Sequence, residues 1–197
     1  MFAGILSCLF ASCEETAEIN EYANWKERNV AYIDSIAEVA KANADGQWLR
    51  ILSFKLNETD VNGEVVDYDV DDYIYCHVET ASTDTVHPLF SDTVAVNYRG
   101  RLIPTLSYPE GKVFDQSYKG TLNPAINVPT KFSVGGVIVG WSTALQHMSR
   151  GDIWRVYIPA SLGYGSSAQT DIPAYSTLIF DMNLVNFSHI GTPMPGM

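Results

Sequence analysis

The chain has 197 residues, 46% of them apolar and 12% aromatic, enough to bury one sizeable core with a small appendage. Its 23 acidic residues against 12 basic give a net charge of -11 and an isoelectric point near 4.6. Such a field repels a phosphate backbone, which argues against DNA and RNA as partners.

Residues 1–12, MFAGILSCLFAS, are an uncharged run followed abruptly by Cys13, Glu14 and Glu15. The run is too short to cross a bilayer as a helix, yet it has the length of the apolar region of a secretory signal, with small Ala11 and Ser12 before the break. Phe10-Ala11-Ser12-Cys13 resembles the lipobox of a bacterial lipoprotein signal, which ends at the cysteine that becomes acylated. Phe10 stands where an aliphatic residue is usual, and no Lys or Arg precedes the run, which leaves room for an initiator further upstream. The resemblance implies a signal peptide over 1–12 and lipidation at Cys13. Acyl chains there would hold the mature chain to a membrane of the bacterial cell envelope, at the outer membrane or the periplasmic face. The competing reading, a packed N-terminal helix with Cys13 as a buried thiol, fits less well because the run has no polar face.

Residues 16–42 carry Ile19, Tyr22, Ala23, Val30, Ile33, Ile36, Ala37 and Ala40 mostly three and four apart, with Glu, Lys and Arg between them. That period predicts an amphipathic helix ended by 43–46, so that 13–46 forms an N-terminal helix and linker. A stalk, a docking element and a dimerisation stripe are all open to it, and packing on the rest of the chain is the simplest choice.

Segment 47–90 reads as a β-rich acidic extension that contributes the first strand of a sheet. From Trp48 the period becomes two, and Asn62-Gly63 is the dipeptide that type I′ turns favour, so a hairpin over 48–70 is expected. Residues 73–78, Tyr-Ile-Tyr-Cys-His-Val, form the next strand, with Cys76 a small buried hydrophobe. Between 56 and 98 there are ten carboxylates, Asp67, Asp69, Asp71 and Asp72 among them, and no Lys or Arg, which reads as a solvated face. Asp60-Val61-Asn62-Gly63 starts like a calcium loop, but the Gly and Glu that such a loop needs further on are missing. His77, His87, His147 and His189 are scattered, so neither a metal nor a cofactor is expected.

The remaining strands are clearer. Val94, Val96 and Tyr98 share one face, as do Trp154, Val156 and Ile158, and again Leu178, Phe180, Met182 and Leu184. Residues 142–148 are the helical piece among them, closed by Gly151, and the Gly- and Pro-rich 188–197 read as a flexible tail. The expected fold is α+β: an antiparallel sheet, a half-barrel, wrapped around one short helix and preceded by an N-terminal helix and a β-hairpin extension.

No GxSxG, HExxH or phosphate-cradling loop is present. In order the chain does carry VAVNYRGRL (94–102), GKVFDQS (111–117), KFSVGGVIVGW (131–141), ALQHMSRGDIWRVYIPASLGYG (144–165) and IPAYSTLIFDMNL (172–184). This succession is similar to the FKBP-type peptidyl-prolyl cis-trans isomerases over roughly half the chain. The resemblance implies an FKBP-type domain over 91–187, with a proline pocket made by Tyr98, Phe114, Asp115, Val137, Ile138, Trp141, Tyr164, Ile172 and Phe180. In that family the Trp is the pocket floor, and the Ile amide and the hydroxyl of the Tyr before Gly bind ligand carbonyls; Trp141, Ile138 and Tyr164 match. The implied partners are proline-containing polypeptides of the envelope or of exported proteins, and macrolides as inhibitors. Thr130 and Asp171 depart from the pattern, since an aromatic and an apolar residue are common there, and the loop from Tyr164 to Ile172 is short.

Three readings follow: an isomerase acting on Xaa-Pro bonds without nucleophile or metal, a non-catalytic FKBP-like peptide-binding or chaperone module, and a structural lipoprotein that keeps only the fold. The intact aromatic set favours the first.

Overall fold

The computed structural model describes residues 20–194; the expected signal peptide, Cys13 and residues 16–19 of the expected helix lie outside the described residues. Helix α1 is Trp25–Ala42. It starts later than the apolar period alone suggests because Asn24 adopts the left-handed conformation (φ 49°), which breaks the helical path, and 20–24 turn instead. Asn43, also left-handed, ends α1 and donates its N–H to the carbonyl of Val39.

Seven antiparallel strands follow: β1 Trp48–Leu52, β2 Tyr73–Thr80, β3 Thr93–Arg101, β4 Val113–Gln116, β5 Thr130–Ser133, β6 Ile153–Ile158 and β7 Leu178–Ser188. The sheet order is β1-β2-β6-β7-β3-β4, and β5 pairs with the first half of β3 while β4 pairs with its end. The one short helix among them, α2, is Val139–Leu145.

Two expectations are corrected. The alternation from Trp48 does form a strand, but its partner is β2, with Ile51 opposite Ile74, and not the stretch up to residue 70. Residues 57–67 are mostly exposed and polar, so pairing there buries nothing; β2 offers a row that is buried from Ile74 to Cys76. Asn62-Gly63 still turns the chain, but it closes only a small loop held by a bridge between Thr59 and Val65. The short helix spans Val139–Leu145 and not 142–148; its start is masked in the sequence by Gly140, a poor helix former. A Cβ on Gly140 would lie 2.4 Å from Ile158 Cγ2, so the glycine lets α2 lie directly on β6.

The sheet is covered on both faces. Ile74, Cys76, Val96, Val156, Met182 and Leu184 pack with Trp141, Ala144, Leu145 and Met148 of the α2 region. On the opposite face Tyr75, Tyr157 and Ile179 pack under Ile33, Ile36, Ala37 and Ala40 of α1. The amphipathic helix is therefore spent on its own sheet, as its stripe of apolar residues at helical spacing suggests.

The turn after α1 is pinned to β2 by His77, whose Nε2 is 2.9 Å from Asp45 Oδ2 and whose Nδ1 is 3.1 Å from Glu79 Oε1. Burial alone pulls this imidazole down, but the two carboxylates outweigh it and the net shift is upward. A folded-state value above the unfolded one stabilises the fold below the unfolded pKa, and that contribution is lost as pH rises through the folded value. The stability difference between the protein and His77→Gln, read from urea midpoints, should therefore be largest below about pH 6.5 and shrink as the solution becomes alkaline.

Candidate functional site

Trp141 lies in the first turn of α2, only 4% exposed, and four strands bring aromatic rings to it or to its neighbours. Tyr98 of β3 meets it edge-on at 5.2 Å between centroids and 83° between planes, Phe180 of β7 at 5.1 Å and 86°, and Phe132 of β5 at 5.3 Å. Phe114 of β4 completes the group against Phe180 at 5.5 Å and 86°. Edge-to-face rings attract through their quadrupoles, by about 0.5–1.5 kcal/mol a pair beyond the area they bury. Repeated around one indole, such contacts fix the wall of a cavity rather than fill it.

That wall requires a residue without a side chain at position 100 of β3. A Cβ on Gly100 would stand 2.6 Å from Phe114 Cε2 and Cζ and 2.6 Å from Phe180 Cε1. Asp115 lies directly opposite Gly100 in the β3–β4 register, which carries its carboxylate to the phenol of Tyr98 two residues earlier. Tyr98 donates its hydroxyl to Asp115 Oδ2 at 2.8 Å. Burial first, and then the bond and charge of that carboxylate, push the phenol upward, so Tyr98 stays a neutral donor at any physiological pH.

The cavity bounded in this way holds about 620 Å³, a size suited to a small ligand or a few residues of chain. All nine residues expected from the sequence, Tyr98, Phe114, Asp115, Val137, Ile138, Trp141, Tyr164, Ile172 and Phe180, line it. Ile138 stands just before α2, where backbone N–H groups lack intrahelical acceptors. Tyr164 follows the 3-10 turn Ala160–Leu162 and remains 40% exposed at the mouth.

Five further residues share the wall: Phe132, Gly136, Gln169, Thr170 and Asp171. Phe132 could have been found from the strand alternation of β5, where it pairs with Val94. The polar rim could not, because its shape comes from backbone bonds, such as that from Gln169 N–H to the Ile172 carbonyl at 2.8 Å. Asp171 pairs with Lys112 Nζ at 3.3 Å, so the acid found where an apolar residue is common has a cation beside it at the rim. Thr130 pairs with Val96 and lies outside the cavity wall, where Phe132 supplies the ring.

No cysteine, serine, lysine or histidine lines this wall. Cys76 lies in the core, completely buried, and burial pushes its thiol up, so it stays protonated. Asp69, Asp71 and Asp72 hold carboxylate oxygens near one another, but around the 3-10 turn Val70–Asp72, where Asp69 and Asp72 cap its backbone, and not in the cavity.

Residues 85–185 match the family model described as FKBP-type peptidyl-prolyl cis-trans isomerase. The chain is 37% identical over 119 residues to the FKBP-type peptidyl-prolyl cis-trans isomerase FkpA of Escherichia coli strain K12, an overlap that takes in 55% of this chain and 40% of that one. The crystal structure of Escherichia coli FkpA superposes with a TM-score of 0.57 at 28% identity, covering 85% of this chain and 62% of that chain. The Outer membrane protein MIP of Legionella longbeachae is 41% identical over 97 residues, 49% of this chain and 36% of its own. A peptidyl-prolyl cis-trans isomerase from Pseudomonas syringae pv. tomato superposes with a TM-score of 0.53 at 27% identity, covering 83% of this chain and 96% of that one. The chain thus spans less than half the length of the curated relatives it matches.

Gly100→Ala tests the cavity wall. The added methyl should displace Phe114 or Phe180 and cost about 1–3 kcal/mol in chemical denaturation.

Proposed function

The chain belongs to the family of FKBP-type peptidyl-prolyl cis-trans isomerases, and we propose that it accelerates cis-trans isomerisation of Xaa-Pro bonds in exported or envelope polypeptides. The observation that carries this reading is the closed set of rings around Trp141 with a buried, neutral Tyr98 in the wall.

Rotation about an Xaa-Pro bond faces a barrier of about 18–20 kcal/mol because amide resonance must be broken. The planar amide carries more charge on its oxygen than the twisted one, and water stabilises it accordingly. A dry aromatic cup takes that water away, so the twisted form is bound better than the planar one, which is what lowering a barrier demands. The proline ring would lie over Trp141, flanked by Phe114 and Phe180, with Val137 and Ile172 closing the apolar walls. The Ile138 amide and the Tyr164 hydroxyl would hold carbonyls of the bound chain. Asp115 orients the Tyr98 hydroxyl and transfers no proton, because no bond to hydrogen is made or broken in the reaction. The same cup suits macrolides as competing inhibitors.

The place of action is proposed on the N-terminal sequence. The Phe10-Ala11-Ser12-Cys13 lipobox supports lipidation at Cys13 and a position on the cell envelope, in keeping with the outer-membrane name of the Legionella relative.

A protease-coupled assay on a short Xaa-Pro peptide tests the activity. The purified chain should exceed the spontaneous rate, and Phe114→Ala should lower kcat/KM by at least about tenfold, equivalent to ~1.4 kcal/mol of transition-state stabilisation; a parent chain no faster than solvent would sink the enzyme reading. Cys13→Ser should move the protein from the membrane to the soluble fraction of cells expressing it, and unchanged partitioning would remove the anchor.

A further inference from the structure

Helix α1 has no part in the isomerase reading, yet it reaches the pocket rim from behind. Past Ile172, which lines the pocket, the chain runs through Pro173, Ala174, Tyr175, Ser176 and Thr177 into β7, and α1 grips the last three of these. Trp25 Nε1 donates to Ser176 Oγ at 2.9 Å, and Ser176 Oγ donates to the carbonyl of Pro173, the neighbour of Ile172, at 2.6 Å. Lys26 Nζ sits 4.7 Å from the centroid of the Tyr175 ring. Asn29, 1% exposed, accepts the Thr177 N–H at 2.7 Å and donates to the Trp25 carbonyl at 2.7 Å, while Thr177 Oγ1 donates to the Asn29 carbonyl at 3.3 Å.

Two features tie this grip to the rim. Tyr175 holds φ at 61°, a conformation that a non-glycine residue keeps only where its surroundings impose it, and its N–H donates to the Gly165 carbonyl at 2.7 Å. Gly165 adjoins Tyr164, so one segment fixes both ends of the rim loop. Trp25 is buried in the same core cluster as Ile172, and beside that contact a cavity of about 290 Å³ lies between Lys26, Asn29 and Val30 on the helix and Pro159, Gly165 and Tyr175 below. Asn is a poor residue for a helix interior, and a buried amide is tolerated when both its ends are bonded, as they are here.

We propose that α1 is a positioning element of the proline pocket: Trp25 and Asn29, acting through Ser176 and Thr177, hold Ile172 and Tyr164 where a bound prolyl chain meets them. This deepens the isomerase reading and rests on it. Neither residue touches substrate; both act through the 173–177 segment.

The test uses the full chain with Trp25→Phe, which removes the indole N–H with its five-membered ring and keeps an aromatic side chain in the core, and Asn29→Ala. Ala40→Gly, at the far end of α1, serves as a control that weakens the helix without touching the segment. Kinetics on an Xaa-Pro peptide are read well below each Tm, together with the Ile172 methyl and Tyr164 ring signals by NMR. Trp25→Phe and Asn29→Ala should shift both signals and lower kcat/KM by up to about tenfold, mainly through KM, whereas Ala40→Gly should lower Tm and leave both readouts alone. Unchanged Ile172 and Tyr164 signals in the first two variants, or an equal loss of kcat/KM in Ala40→Gly, would overturn the proposal. If the parent chain shows no isomerase activity the functional premise fails, and the NMR signals still decide whether α1 positions the rim.

Discussion

The arrangement of the site depends on one indole. Trp141 receives Tyr98, Phe132 and Phe180 edge-on, and those residues come from three strands that are distant in sequence. Its own place is set by Gly140, which lets α2 descend onto Ile158 of β6. Displacing α2 outward would disturb these three ring contacts at once, because aromatic attraction of this kind falls off within about an ångström or two. The sheet, with β3 between β7 and the short strands β4 and β5, is in effect the frame that presents these rings to the helix.

From that constraint the electrostatics follow. A wall of rings is a poor solvent for charge, so the polar groups that survive in it must be bonded or neutral. Tyr98 meets both conditions through Asp115, which is itself exposed. The ionised groups at the mouth, Asp171 and Lys112, neutralise each other across two loops. The site therefore offers a dry floor with oriented hydrogen-bond donors and a wet rim, a combination suited to a conformational reaction in which no covalent bond changes.

Much of this was legible in the sequence, for reasons that can be named. β3, β6 and β7 announced themselves because each buries long, regular rows of side chains. The nine cavity residues were readable because the motifs that carry them occur in order. What was not legible depends on partners chosen in three dimensions. The alternation after Trp48 marks a strand but not its mate, and an Asn-Gly turn beside it suggested the wrong one. Gly140 hid the start of α2, since its propensity argues against the helix that its size makes possible. The rim at 169–171 and the hold of α1 on Thr177 are fixed by backbone and amide hydrogen bonds that leave no periodic trace.

The isomerase function turns on whether this ring-lined cavity accelerates rotation about a prolyl bond. Exchange NMR on a short Xaa-Pro peptide, with the protein at catalytic concentration, reads that directly. Cross-peaks between the cis and trans forms should grow within mixing times of about a second. Exchange that stays on the uncatalysed scale of tens of seconds or longer would contradict it.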